Sequence, residues 1–434
     1  MADASPLLPS RKPAAQYARC ASHPRDELRS FRACLRWLCV DHSTRARSAA
    51  SWAAFLLLAV AAPSALRLAS PSSTPDRPFD GLVQVSLTLA AALAFICLGR
   101  LLGRAGGMRR LLYLDSLRRD SEEVQCGYAA QLDRSFRVLA GVVLPCSVAD
   151  AAYQVYWYSA AARSFPSPWW AAAACAVDVA SWVYRTAVFF MVCVIFRIIC
   201  YLQILRMVGF AREFGRFADV ATVLLHHRRI REQLRKISHR YRKFIICSLV
   251  LVSASQFAAL LSTTRPHATV NLATAGELAL TSLSLVAGLL MCLHSAAKIT
   301  HKTQAITSVA AAWHADATVH AFDNDQENPD PDLPATAGYL APANAYRLAA
   351  GEESGSDDDY DSRSEGSIDD PKYVPFQANN ICFQKRQALV TYLENNRAGI
   401  TVYGFVVDRA WLHALFMIEF SLVMWLLGKT VGIS

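Results

Sequence analysis

The stretch Val177–Leu205, VDVASWVYRTAVFFMVCVIFRIICYLQIL, decides the fold class. A helix needs about 20 mostly apolar residues to cross about 30 Å of hydrocarbon. This run is longer than that, and its apolar character already begins near Trp169. Tilt, or extension of the helix beyond the bilayer, absorbs the excess.

Working outward, three comparable runs precede it, Ala49–Leu66, Leu82–Leu102 and Phe136–Tyr158. Three follow it, Phe244–Leu261, Ala273–Leu293 and Tyr403–Leu427. The chain has 434 residues, of which 53% are hydrophobic and only 18% charged. A soluble protein of this size needs more polar surface. The expectation is an all-α membrane protein with seven transmembrane helices. Arg11, Lys12, Arg19, Arg25, Arg29, Arg32, Arg36, Arg45 and Arg47 precede or open the first run. That places it too far in for a cleavable signal, so it reads as an uncleaved anchor.

Arginine and lysine set the orientation, because basic loops stay in the cytoplasm. After the second run come Arg104, Arg109, Arg110, Arg118 and Arg119. After the fourth come Arg212, Arg216, Arg228, Arg229, Arg231, Arg235, Lys236, Arg240, Arg242 and Lys243. The alternate loops carry only Arg67 and Arg77, then Arg163, then Arg265. Seven crossings with the N-terminus cytoplasmic and the C-terminus outside put every basic segment on one side. This is inverted relative to receptors of the G-protein-coupled kind.

Counting the fourth span from Trp169, none of the 12 cysteines falls in the three outer loops, so structural disulfides are not expected. Cys34 and Cys39, beside the first run, are either acylation sites or plain reduced thiols. The net charge of +9 is not interleaved with aromatics, which argues for membrane lipid as a partner and against nucleic acid. No grouping of residues indicates a metal or a cofactor.

Outside the spans, Phe210, Phe214, Phe217, Val220, Leu224, Ile230, Leu234, Ile237 and Tyr241 recur at helical spacing among charges. They predict one amphipathic helix or a pair, either packed on other cytoplasmic helices or laid on lipid headgroups. Packing is the favoured alternative. His226 and His227, within this stretch, read as a solvated polar face. Lys298–Ala321 is expected to extend the sixth span, and Asn380–Ala398 to form a helix before the seventh. The domain reading is a basic cytoplasmic tail over 1–48, spans one to six with their extensions over 49–322, an acidic linker over 323–372, and a cytoplasmic helix plus seventh span over 373–434. The linker lacks apolar periodicity and is expected to be disordered. In it Ser354, Ser356, Ser362 and Ser367 each have an acidic residue three positions on. They are either sites for acidophilic kinases or part of a plain solvated spacer.

Ionisable residues at membrane depth are costly and usually face a bundle interior or water. Asp150, Asp178, Arg185 and Glu277 are of this kind, and in the proposed topology the three acids lie toward the outer half. Tyr153, Tyr156 and Trp157 lie nearby in sequence. One reading is a small-molecule ligand pocket formed by Asp150, Tyr153, Tyr156, Trp157, Asp178, Arg185 and Glu277. The other is interhelical ion pairing with an interfacial aromatic belt. In the seventh span, Asp408, Leu412, Leu415 and Glu419 share one helical face. In a symmetric oligomer Glu419 would form an acidic ring that attracts cations; within one subunit, the same groups would tie neighbouring helices together.

The segments Thr391–Ile433, TYLENNRAGITVYGFVVDRAWLHALFMIEFSLVMWLLGKTVGI, and Ser181–Met207, SWVYRTAVFFMVCVIFRIICYLQILRM, resemble a plant family of uncharacterised seven-helix membrane proteins. Its members carry the label extracellular ligand-gated ion channel-like. They are regarded as distant relatives of insect gustatory and odorant receptors. The resemblance implies an insect-chemoreceptor-like bundle, a homotetramer joined through cytoplasmic helices, and a pore lined by the last helix. One departure is plain. The short Thr-Tyr signature of the insect gustatory last helix has no counterpart within the seventh span.

The leading expectation is therefore a ligand-gated cation channel or chemoreceptor. A non-channel scaffold or receptor that recruits cytoplasmic partners is the alternative, and a transporter a further one, although no internal repeat is evident. An enzyme is not expected, since GxSxG, HExxH, P-loop and GxGxxG motifs are absent in any supporting context. The choice between plasma membrane and endomembrane is not encoded in these features.

Overall fold

The computed structural model describes residues 35–40, 42, 44–69, 77–102, 122–161, 165, 167–213, 219–266, 270–326 and 382–431. The elements are α1 (Arg45–Phe55), a π-helical segment (Leu56–Ala61), α2 (Ala62–Ala69), α3 (Asp80–Leu102), α4 (Glu122–Ala161), α5 (Pro168–Glu213), α6 (Val220–Thr263), α7 (Leu272–Gln326), α8 (Phe383–Asn395), β1 (Thr401–Val402), β2 (Phe405–Val406) and α9 (Arg409–Val431). Among the described residues, seven helices are long and apolar enough to cross a membrane: Arg45–Leu68, Asp80–Leu102, Ala130–Ala161, Pro168–Phe210, Val220–Thr263, Leu272–Val319 and Arg409–Val431. Each contains or overlaps one of the seven apolar runs.

The chain forms two compact units. The first takes the described residues within 1–202, 238–297 and 401–434. Its centre is α5, because a helix that is apolar all round must be buried on every side. In the most apolar stretch of α5, 94% of residues are buried, against 11% for α4 and 17% for α9. Phe189, Phe190, Phe196 and Tyr201 of α5 are fully enclosed. Phe189 meets Phe244 of α6 at 6.4 Å between ring centroids, and Phe196 meets Tyr241 at 4.9 Å. Val83 of α3, Ala259 of α6, Leu278 of α7 and Leu426 of α9 close a second apolar cluster. Trp52 and Phe55 of α1 both pack on Phe95 of α3.

The first span is not a simple α-helix. Pro63 has no N–H, so in the α register it leaves the Ala59 carbonyl without a donor, and in the wider π register it leaves that of Leu58. The chain is in the π register there, with the Ala62 N–H donating to the Leu57 carbonyl. Neighbouring helices supply both missing donors. Ser181 Oγ donates to the Leu58 carbonyl at 2.7 Å, and Thr88 Oγ1 to that of Ala59 at 3.2 Å. Satisfaction by neighbouring hydroxyls is what allows a proline inside an apolar span.

The seventh span starts later than its apolar run. Thr401–Val402 and Phe405–Val406 pair as an antiparallel hairpin, with Thr401 opposite Val406, and only then does α9 begin. Tyr403 and Gly404 have φ of 50° and 94°. Two successive positive φ values fit a two-residue hairpin turn, whose twist matches that of the flanking strands. The expectation of a purely helical chain is corrected here by the short β-branched and aromatic flanks around Gly404.

The second unit takes the described residues within 203–237 and 298–400. It joins the three helical stretches expected outside the spans. Val220, Ile230, Leu234 and the nearby Ile237 are buried, so the amphipathic stripe packs on protein. The described part of α5 ends at Glu213 and α6 begins at Val220, while Phe214 and Phe217 fall outside the described residues. Thr303 Oγ1 donates to the Ala398 carbonyl, and Arg231 to Asn396. His227 is buried, its ring edge-on to Tyr392 at 5.6 Å. The expected solvated face is thus wrong for His227: the helical turn that buries Ile230 buries His227 as well.

Candidate ligand-binding site

Three helices of the first unit bring ionisable side chains together. Asp150 comes from α4, Asp178 and Arg185 from α5, and Glu277 from α7, and all four are buried. At their centre is Arg77, from the turn that leads into α3. Its guanidinium Nη1 lies 3.6 Å from an Asp178 carboxylate oxygen and 3.5 Å from one of Glu277. Its Nη2 donates to Gln154 Oε1 at 2.9 Å.

Aromatic rings surround the same guanidinium. Its carbon is 3.6 Å from the Trp157 ring centre, 5.6 Å from that of Tyr158 and 5.9 Å from that of Tyr153. A guanidinium held on a tryptophan face is attracted by the ring quadrupole, most strongly where water is excluded. The walls are themselves tied down. Tyr158 donates to Asp178 at 3.4 Å, and Tyr153 donates to the Ala273 carbonyl at 2.8 Å. Gly276 leaves room for this, since a Cβ there would meet the Tyr153 ring at 3.0 Å.

Arg185 anchors a second layer. Its Nε donates to the Ser181 carbonyl at 3.1 Å and its Nη1 to Thr88 at 3.2 Å and to Gln84. Gln84 in turn donates to Asp80, whose other oxygen accepts from Arg67 at 2.7 Å. Trp182, fully enclosed, donates to Thr281 at 3.2 Å.

Several polar atoms of the cluster have no hydrogen-bond partner among the described residues. They are both carboxylate oxygens of Asp150, Oε1 of Glu277, Nε2 of Gln154, Nε of Arg77 and Nη2 of Arg185. Asp150 is near enough to Asp178, Arg185 and Arg77 for their charges to act on it. Buried polar groups in folded proteins nearly always find a partner, and these atoms can take water or a polar molecule as theirs.

Of the residues expected to line a pocket, Asp150, Tyr153, Trp157, Asp178, Arg185 and Glu277 come together. Tyr156 does not. It is 62% exposed, because positions 150, 153, 154 and 157 share a helical face that excludes 156. Trp169 and Trp170 are exposed as well. Sequence reasoning missed Arg77, Gln84, Gln154 and Gly276. In the sequence Arg77 looks like an ordinary loop charge.

Leu412, Leu415 and Glu419 lie on one face of α9, and Asp408 directly precedes the helix. Asp408 accepts the Trp411 N–H at 2.9 Å and so caps the helix. Glu419 is buried and accepts from Ser253 of α6. The exposed face of α9 carries Phe416, Met417, Phe420 and Met424. Ser354, Ser356, Ser362, Ser367 and Cys34 lie outside the described residues, while Cys39 is an exposed free thiol.

Long apolar helices gathered around a buried charged cluster are compatible with a multi-pass membrane protein that has a polar site within its bundle. Residues 26–418 match the family described as protein of unknown function (DUF3537), and the chain belongs to that family. Comparison with curated proteins gives no match.

Proposed function

We propose that this chain is a ligand-gated cation channel or chemoreceptor of gustatory-receptor-like type. It crosses the membrane seven times, with its N-terminus in the cytoplasm, and works as a homotetramer. The observation that carries the reading is a set of buried polar atoms with no partner among the described residues, both oxygens of Asp150, Oε1 of Glu277 and Nε2 of Gln154, within an apolar bundle. Burying such groups is expensive unless a bound molecule uses them. The basic loops support the orientation, and the likeness to the plant family supports gating by a ligand.

Cations would pass along the seventh helix. Lining by Asp408, Leu412, Leu415 and Glu419 requires that α9 turn this face from its own bundle toward the fourfold axis on assembly. The test is reconstitution of the purified chain in planar bilayers, with oligomeric state measured in detergent. A tetramer that passes cation current, reduced when Glu419→Cys is labelled by a water-soluble thiol reagent, supports the reading. A monomer that passes no current in the presence of any class of small molecule overturns it.

The second reading is a membrane scaffold or receptor that recruits soluble partners, favoured by the separate compact unit within 203–237 and 298–400. Under that reading, removal of 327–381 abolishes the cellular phenotype while Glu419→Ala has no effect.

A further inference from the structure

The cluster resembles a receptor for a cation that is already filled by part of its own chain. Three aromatic rings and two carboxylates converge on the Arg77 guanidinium. Faces of Trp and Tyr beside acidic groups form the arrangement by which proteins hold organic cations. We propose that this is a binding site for a small organic monocation of the guanidinium or primary ammonium class, and that Arg77 occupies it as a tethered stand-in which such a cation displaces.

Charge supplies the first reason. Asp80 is matched by Arg67, which leaves Asp150, Asp178 and Glu277 facing Arg77 and Arg185. Three carboxyls therefore face two guanidiniums, and the acid left without a fixed counter-charge in a low-dielectric bundle must take up either a proton or a cation. The unpartnered oxygens of Asp150 and Glu277 mark where the extra acceptors lie. Both residues are at least nine-tenths buried.

Geometry supplies the second. A free guanidinium pairs with carboxylates in a bidentate manner at about 2.7–2.9 Å. Arg77 reaches Asp178 and Glu277 only at 3.6 and 3.5 Å, makes one hydrogen bond of ordinary length, to Gln154, and leaves its Nε without a partner. Its backbone is held at the entry to α3, so the tether stops the head group from settling into the best position. A free cation has no such restraint. The face of Trp157 is already covered at 3.6 Å, so the newcomer must replace Arg77 and cannot sit beside it.

This inference rests on the cluster being the ligand site, and its test does not require current. The full chain in lipid nanodiscs is titrated with methylguanidinium chloride by calorimetry, with sodium chloride at equal ionic strength as the reference. Wild type should bind it weakly and saturably. Arg77→Ala, with the stand-in removed, should bind it about thirtyfold more tightly, the factor expected for one desolvated cation–π contact. Adding Glu277→Gln should remove that gain. Should Arg77→Ala fail to fold, Arg77→Lys keeps the charge but loses the planar stack, and should still bind the probe more tightly than wild type. Binding by the Arg77 variants that is absent, or no tighter than wild type, overturns the proposal. Saturable binding without any current supports this site while removing the channel reading. Current evoked by another ligand, with no methylguanidinium binding, does the reverse.

Discussion

At Gly288 the side chain is a hydrogen because Phe189 of α5 stands where a Cβ would have to go. Overpacking a filled core costs about 1–3 kcal/mol. Gly288→Ala is therefore expected to lower the thermal unfolding midpoint in detergent. Gly428→Ala, where open space surrounds the position, should be neutral or slightly stabilising. Equal midpoints for the two variants would show that α5 and α7 do not pack this closely. Residues of the candidate site were legible to the extent that they interrupt apolar runs. Asp150, Asp178, Arg185 and Glu277 stand out because charge at that depth is rare. Arg77 was illegible for the opposite reason. It lies just outside a run, where an arginine costs nothing, and only the fold brings it under Trp157. Tyr156 is close to the site in sequence, but a 100° step per residue turns it away from its neighbours.

Among the elements, the π-helical segment offers the sharpest check. Ser181→Ala removes the donor to the Leu58 carbonyl, and an interhelical hydrogen bond of this kind contributes about 1 kcal/mol. In a Pro63→Ala background the main chain regains its own N–H and a regular α register can satisfy both carbonyls. Ser181→Ala should then cost less than in wild type, a coupling measurable by thermal unfolding of the four proteins. Additive losses would mean that proline and hydroxyl are unrelated. The long apolar runs predicted their helices well, because length and lack of charge leave few alternatives in lipid. Hydropathy cannot see register, so neither the π segment nor the hairpin at Tyr403–Gly404 emerged. The local sequence did hold a hint of the latter. Gly404 lies between Val402 and Phe405–Val406, the composition of strands around a tight turn.

On the scale of the molecule, two compact units invite separate perturbation. His227 belongs to the second, in the part of α6 that precedes the apolar stretch Phe244–Leu261. Burial, with Arg231 adding to it, lowers its pKa from 6.5 to about 4. Folding therefore favours the neutral ring, while the unfolded chain binds the proton more readily. The stabilisation is complete above about pH 6.5 and declines as pH falls toward 4. The protection of α8 amides, taken relative to their intrinsic exchange rate at each pH, should fall across this window in wild type, and less so in His227→Gln. An unchanged profile in that variant would assign the acid sensitivity elsewhere. Burial of His227 was not readable from its basic neighbours, since a helix that carries charge on most positions can still hide one ring beneath Tyr392.

The seat of Arg77 also bears on how the protein is made. Synthesis runs from the N-terminus, so this arginine leaves the ribosome well before Asp150, Asp178 and Glu277, and the last of its counter-charges arrives only with α7. Until then the cation at the tip of the first helical hairpin is matched only in part. Nascent chains halted short of residue 277 should consequently stay engaged with the insertion machinery or be degraded, whereas those extended through α7 can be released.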